Sequence, residues 1–393
     1  MMMILAAALV VLSGSGSSSS SLLTVAFTTA ATAAGARNDN SPGLPMVINT
    51  WGGAFTAATD AAYIALREMN ASALDAVEIG CNTCEANQCD GTVGYGGSPD
   101  ENCETTLDAM IMDGDTMKSG SVAALRRVKS AISVARAVLE HTSHTMIAGD
   151  FATDFALGNG FIAEDLTTST SAALCSAWKA EGCQPNYRLN VSPDPAVACG
   201  PYTPLPSSSP SRSPSRDPHN SASDSDSDSH LDDERHMSSV RGGQKKGHDT
   251  ISQITLHPSG SLASGTSTNG ASHKIPGRVG DGPITGSASY VDSAVGGCGA
   301  TGDGDIMMRF LPCYQAVESL RLGMRPKQAA EDAVRRMLRK YPNLQSGVVV
   351  VDKNGAHGAA GSGWTFTYAY RGGEMDETVV VSVPPLHLGS LEL

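Results

Sequence analysis

The sequence predicts an α+β fold, with strands packed under helices and sheet on sheet left open as an arrangement. Leu125 to His141 ("LRRVKSAISVARAVLEH") repeats apolar residues at helical spacing, placing Val128, Ile132, Ala135 and Leu139 on one face. "GVVVVD" (Gly347 to Asp352) and "ETVVVSV" (Glu377 to Val383) are β-branched runs of strand length and read as buried strands. Neither half of the chain, on either side of a polar middle segment, has enough strands for a layered domain. The two halves are therefore expected to form one domain.

Ordered sequence is expected from Ser41, with 41–203 as the first part of that domain. "PMVINT" (Pro45 to Thr50) reads as a short buried strand. Ala57 to Met69 carries Ala, Leu and Ile at helical spacing. Ser72 to Cys84 reads as a second helix, with Ser72 suited to cap it because its hydroxyl can accept an early backbone N–H. Thr145 to Ala148 is a short strand candidate. From Pro204 the chain is low-complexity ("PLPSSSPSRSPSRDPHNSASDSDSDSHLDDER") and has too few large apolar side chains to offset the entropy of ordering. Residues 204–249 therefore read as a disordered linker, although their Ser-Pro and Ser-Asp repeats could also be phosphorylated. Residues 250–393 resume with "TISQITL" in strand alternation, and "SGSLASGTSTNG" adds a turn and a second strand. Asp305 to Arg321 and Pro326 to Lys340 read as helices.

Composition excludes some functions. The net charge of −13, with no basic patch interleaved with aromatics, argues against nucleic acid as a partner. Residues 1–36 read as a leader. Ile4 to Leu12 is apolar but too short to span a bilayer, and small residues around Ala31 to Ala36 would suit a signal peptidase. The start lacks a positive segment, so a leader without meaning stays open. No later stretch reaches the ~18 to 20 apolar residues of a membrane span. Nine cysteines fit the secretory route and, being odd in number, leave at least one thiol unpaired within the chain. Cys81, Cys84 and Cys89 lack the further ligands of a zinc site, and a local Cys84–Cys89 disulfide is the better reading. Sequons at Asn70 and Asn190 agree with that route.

At "GHDTISQITL" (Gly247 to Leu256) the chain changes abruptly from the polar segment to a strand. A Thr hydroxyl is a weak nucleophile unless a base takes its proton, and its own α-amine is one such base. That amine titrates near about 7.7 to 8.0. Thr250 has it only if the Asp249–Thr250 bond breaks, and the polar segment before it gives a new end room to withdraw.

The motifs carry a resemblance. "NTWGGAF" at Asn49, "SALDAVEIGCNTCEANQCDGTVGYGGSPDE" at Ser72 and "TTLDAMIMDGDTM" at Thr105 lie in the first half, with "CQPNYRLNVSPDPAVACGPY" at Cys183. "GHDTI" at Gly247, "GTSTNG" at Gly265, "KIPGRVGD" at Lys274 and "ATGDGDIMMRFLPCYQAVE" at Ala300 lie in the second. Over roughly Ser41 to Tyr202 and Gly247 to Gly363 the chain resembles glycosylasparaginase (aspartylglucosaminidase), an N-terminal-nucleophile hydrolase. The resemblance implies a four-layer αββα sandwich. It also implies autocleavage into an α chain ending at Asp249 and a β chain starting at Thr250, with a dimer of αβ units. The implied substrate is a glycoasparagine, with no metal or organic cofactor, and the implied compartment is a lysosome or vacuole.

Carried over by position, the resemblance makes Thr250 both the scissile site and the nucleophile. Thr268 orients it. Thr301 and Gly302 form the oxyanion hole. Arg278 and Asp281 grip the substrate's α-carboxylate and α-amino group, Gly304 makes a backbone contact to the same head, and Thr50 and Trp51 edge the site. The chemistry agrees. An Arg fork suits a carboxylate through paired charged hydrogen bonds, and an Asp suits an ammonium. A hydroxyl and an N–H aimed at the developing oxyanion stabilise it by about 3 kcal/mol per donor. A disulfide between Cys183 and Cys199 also follows from the resemblance.

There are departures. Thr92 stands where the family often has Ser, and Gly282 also replaces a usual Ser. No cysteine follows Cys313, and the match weakens after about Trp364. Two rivals remain: a plant-type asparaginase or isoaspartyl peptidase on the same fold, which more usually has "GTVG" and "TSTGG", and an inactive, uncleaved binding protein.

Overall fold

Strands from the two halves of the chain alternate within one sheet. The computed structural model describes residues 41–206 and 250–386. The leader, His248 and Asp249, nearly all of the 204–249 segment and the last seven residues lie outside the described residues. From the first half come β1 (Met46–Thr50), β2 (Leu107–Asp113), β3 (Ser119–Leu125) and β4 (Met146–Ala148), with a small ribbon of β5 (Val191–Ser192) and β6 (Thr203–Pro204). The second half gives β7 (Ile251–Leu256), β8 (Leu262–Thr268), β9 (Ser289–Asp292), β10 (Gly296–Gly302), β11 (Ser346–Asp352), β12 (His357–Ser362), β13 (Phe366–Gly372) and β14 (Val379–Val383). One sheet has eight strands in the order β14-β13-β1-β7-β8-β2-β3-β4, and another has four in the order β12-β11-β10-β9.

The helices are α1 (Thr56–Glu68), α2 (Ala73–Asn87), α3 (Ala131–His141), α4 (Gly149–Gly158), α5 (Ser169–Ala180), α6 (Gly304–Met307), α7 (Pro312–Arg321) and α8 (Pro326–Leu338). One apolar cluster joins α2 and α3 to the large sheet through Val77, Ile132, Val138, Ile111 and Ile251. A second joins α7 and α8 to the small sheet through Val317, Val334, Met337, Val348 and Val350. A third lies between the sheets, where Met46, Ile48, Met110 and Ile254 meet Val291, Val349 and Val351. Each such large side chain, fully withdrawn from water, contributes roughly 1.5 to 3 kcal/mol.

Local signals set several boundaries. Ser72 caps α2 through a reciprocal pair in which Asp75 N–H donates to Ser72 Oγ (3.1 Å) and Ser72 N–H donates to Asp75 Oδ2 (3.0 Å). Pro312 begins α7 and Pro326 begins α8, each at a position where a missing N–H costs nothing.

Other expectations are corrected. The helix read from Leu125 starts at Ala131, because Leu125 ends β3 and Val128 lies in the connection. Asp305 to Arg321 is two helices, broken before Pro312. β7 does not alternate in burial: every residue from Ile251 to Leu256 is buried, because α2 and β9–β10 cover its two faces. β14 was expected to be buried, but it is the sheet's edge strand and leaves Val379 and Val380 about 40% exposed.

Four cysteine pairs stand at bonding distance: Cys84–Cys89, Cys103–Cys175, Cys183–Cys199 and Cys298–Cys313. Cys81 is the buried free thiol. Among the described residues no helix is long and apolar enough to cross a membrane.

Candidate active site

Strand alternation decides which way Thr250 faces. In β7, Gln253 and Thr255 bond to the backbones of α1 and α2, at Ala58 and Ala73. Ser252 and Ile254 face the small sheet, since Ser252 Oγ donates to Ala288 O at 2.8 Å and Ile254 lies in the core between the sheets. By the two-residue period Thr250 shares their face. The pairing Ile251↔Ser267 puts Thr250 at the level of Thr268 on β8, and Thr268 pairs with Asp108 on β2. Opposite them, β10 presents glycines to β7. A Cβ on Gly297 would come within 2.9 Å of Ile254 and one on Gly299 within 2.8 Å of Ser252 Oγ. The bare backbone lets the sheets close up, and the next residue of that face on β10 is Thr301, over Thr250.

The Thr50–Trp51 step ties the two sheets together. β1 pairs with β7 only as far as Asn49↔Gln253. There the main chain turns away: Trp51 has φ of 70° and donates its N–H to Thr367 O at 2.8 Å. The Thr50 hydroxyl takes over the missing rung, donating to Thr250 O at 2.8 Å and accepting from Ser252 N–H at 2.9 Å. Trp51 Nε1 donates to Thr301 Oγ1 at 3.2 Å, with its ring edge-on to Trp364 and Phe366. Thr50 was expected at the rim of the site. It is fully buried and holds the main chain of the strand that Thr250 begins.

A charged pocket adjoins these hydroxyls. Arg278 Nη2 and Nε donate to Asp305 Oδ2 (2.8 Å) and Oδ1 (3.3 Å). Asp281 is buried and its Oδ2 has no hydrogen-bond partner among the described residues. Burial pushes the Asp281 carboxyl up to about 7, against the pull of Arg278. Burial also pulls on the Arg278 guanidinium, but Asp305, Asp108 and Asp281 hold it above its ordinary value. Gly304 closes the pocket: a Cβ there would lie 2.6 Å from Asp281 Oδ1 and 3.3 Å from Arg278 Nη2. Gly302 has φ of 144°, and a side chain on it would strike the Gln345 carbonyl, so only glycine fits. A Cβ on Gly282 would lie 3.1 Å from Thr268 Cγ2, so the pocket and the hydroxyl group are contiguous. Among the described residues no cluster of His, Cys, Asp or Glu is arranged to hold a metal ion.

The structure thus brings together Thr50, Trp51, Thr250, Thr268, Thr301, Gly302, Arg278, Asp281 and Gly304. Asp249 lies outside the described residues. Sequence reading missed Asp305, Asp108, Lys274 and Tyr187. Lys274 is buried, donates to Ser98 O (3.1 Å) and Asn269 O (2.8 Å), and is pushed down to about 8 by burial. Tyr187 is pushed up to about 12 by burial, with Arg278 opposing. All four lie inside the motifs quoted above, but nothing in a motif shows which of its residues the fold brings near Arg278.

The asparaginase family pattern matches residues 34–381. The chain belongs to the asparaginase family. The match runs past Trp364, where the motif resemblance fades, and takes in β13 and the first part of β14. The chain is 46% identical over 355 residues to the "Probable isoaspartyl peptidase/L-asparaginase 3" of Arabidopsis thaliana, covering 90% of this chain and 94% of that relative. It is 50% identical over 317 residues to the mouse (Mus musculus) N(4)-(beta-N-acetylglucosaminyl)-L-asparaginase, covering 81% of this chain and 84% of that one. The rat (Rattus norvegicus) enzyme of that name is 49% identical over the same length. As a member of the asparaginase family, the chain is an amide hydrolase.

Proposed function

We propose that the chain hydrolyses the amide between N-acetylglucosamine and the asparagine side chain, releasing L-aspartate and the amino sugar, after breaking its own Asp249–Thr250 bond. The observation that carries this is the buried, unpartnered Asp281 Oδ2 beside the Arg278 guanidinium and the bare Gly304. A buried carboxylate oxygen without a partner is costly, and an α-ammonium would satisfy it while its α-carboxylate met Arg278. In this reading the freed Thr250 amine takes the hydroxyl proton, Thr250 Oγ1 attacks the side-chain carbonyl, and Thr301 and Gly302 hold the oxyanion. The amino sugar leaves, and water releases aspartate from the β-aspartyl enzyme. Thr268 orients the attacking hydroxyl, and Trp51 steadies Thr301. The fold is then a four-layer αββα sandwich, the α and β chains pair as dimers, and the compartment is a lysosome or vacuole reached by secretion. Four cysteine pairs at bonding distance and the exposure of Asn70 and Asn190 support that route.

The asparaginase or isoaspartyl peptidase reading shares the head pocket and differs only on the leaving-group side. The Arabidopsis relative supports it, whereas "HDT", "NTW" and "TSTNG" favour the glycoasparagine. The test is to assay purified protein on glucosaminyl-asparagine, a β-aspartyl dipeptide and asparagine, with a denaturing gel alongside. Two fragments and fastest turnover of glucosaminyl-asparagine are expected. Turnover confined to the other two substrates hands the function to the rival. One inactive full-length band would leave a binding protein.

A further inference from the structure

We propose that Asp108 is a positioning residue for the head pocket: it holds the Gly280 peptide so that Arg278 and Asp281 address one ligand. This rests on the function proposed above and names what sets the pocket's geometry.

The antiparallel pair β2–β3 carries a bulge at this point. Leu107 faces Leu125 and Ala109 faces Val122, so two residues of β3, Ala123 and Ala124, stand against Asp108 alone. Ala124 takes a left-handed φ of 48°, a conformation unfavourable for a residue with a side chain. Its N–H leaves the ladder and is taken by Asp108 Oδ1 at 2.8 Å. Asp108 Oδ2 accepts the Gly280 N–H at 3.1 Å. Both oxygens of one buried carboxylate are thus committed to backbone from two segments far apart in sequence.

The Gly280 side of this tether lies in the pocket. A Cβ on Gly280 would come within 2.9 Å of Arg278 Nη1, so the guanidinium folds back over that peptide. Two residues on, Thr266 Oγ1 donates to Gly282 O at 2.6 Å. Asp281 is therefore held by the sheet on both sides, at Gly280 by Asp108 and at Gly282 by Thr266. Asp108 also pairs with Thr268, in the row of side chains that Thr250 begins. One carboxylate fixes the head pocket relative to the strand ends that carry the hydroxyls, without being assigned to the substrate itself.

The experiment compares Asp108→Asn and Asp108→Ala in the full chain. Asn keeps one acceptor and sets an amide NH2 against the other N–H, while Ala removes both bonds. For glucosaminyl-asparagine, kcat/KM should fall about 10-fold in the Asn variant and about 100-fold in the Ala variant, with the rise in KM carrying most of it. A substrate whose α-carboxylate is blocked as an amide should be slow with the unmodified enzyme and lose less than about threefold more in either variant, since it draws little on Arg278. Hydrogen exchange should quicken at residues 278–282 and 122–126 and stay unchanged elsewhere. Exchange at 278–282 unaltered in both variants, or equal losses on free and blocked substrates, would overturn the role. If the unmodified protein hydrolyses no β-aspartyl amide, the proposed function falls, and the exchange measurement still decides whether Asp108 holds the loop.

Discussion

The hydroxyl group around Thr250 and the charged pocket around Arg278 touch, yet they are built by opposite means. Thr50, Thr250, Thr268 and Thr301 stand on strands or strand ends. They are neutral, nearly or wholly buried, and aligned by register and by the glycine face of β10. Arg278, Asp281 and Gly304 lie in a loop and at the start of a one-turn helix, where buried charges set the geometry. Small neutral groups can be placed by backbone geometry alone. A pocket for a zwitterion needs ionised side chains, and buried charges persist only where partners hold them. The first region should therefore fail through lost chemistry and the second through lost binding.

The largest effect expected is from Thr250→Ala. It removes the proposed nucleophile and leaves the charged pocket untouched, so turnover should vanish and the chain should remain in one piece on a denaturing gel. L-aspartate should still bind measurably by calorimetry. Normal two-chain maturation in this variant would remove the dual role assigned to Thr250.

Arg278→Lys is the complementary break. It keeps the charge but loses the two-pronged fork, so kcat/KM should fall roughly 10- to 150-fold, the equivalent of one charged hydrogen bond. Maturation should be preserved, because self-cleavage presents no free α-carboxylate. Equal damage to carboxylate-blocked and free substrates would make Arg278 a structural residue.

The pH dependence should also separate the two regions. With its carboxyl at about 7 in the free pocket, Asp281 is protonated below that pH and cannot receive an ammonium without losing the proton. As pH falls below about 7, protonation of Asp281 should add a loss of up to about tenfold per unit to kcat/KM, so that kcat/KM falls more steeply than kcat, whose own fall reports protonation of the Thr250 amine. Asp281→Asn should lower kcat/KM throughout and remove that extra steepness, leaving kcat/KM and kcat to fall in parallel with the Thr250 amine. An unchanged slope in that variant would assign the titration to another group.

Trp51→Phe is a milder probe of the neutral side. It keeps an aromatic ring beside Trp364 and Phe366 but deletes the Nε1–H bond to Thr301. The expected loss is about 2- to 10-fold in kcat, the size of one neutral hydrogen bond, with KM steady. The smallest effect should come from deleting residues 206–239. Closure entropy changes only logarithmically with loop length, so soluble, mature enzyme within about twofold of full activity is expected.

What the sequence determined by itself is mostly local. Ser72 with Asp75 starts α2, Pro326 starts α8, and the valine run becomes β11, because caps, prolines and β-branched runs act through neighbours in the chain. Residue chemistry was legible only in combination: an Arg and an Asp three apart are more often a surface pair and a "TGDG" more often a turn, and it was the resemblance of the surrounding motifs that gave them roles. Tertiary structure decided the rest. The β3 bulge that frees Ala124 N–H, the burial of β7 on two faces, the exposure of edge strand β14, and the partnership of Arg278 with Asp305 all depend on residues tens to hundreds of positions away. β2 and β3 went unread, and the helix read from Leu125 absorbed the end of β3, because a strand covered on two faces has no alternation to betray it. Thr50 shows the division most plainly. Its sequence context put it at the site, but only the divergence of β1 from β7 made its hydroxyl replace a backbone rung, since a missing hydrogen bond in a buried sheet must be supplied by whatever group the fold brings there.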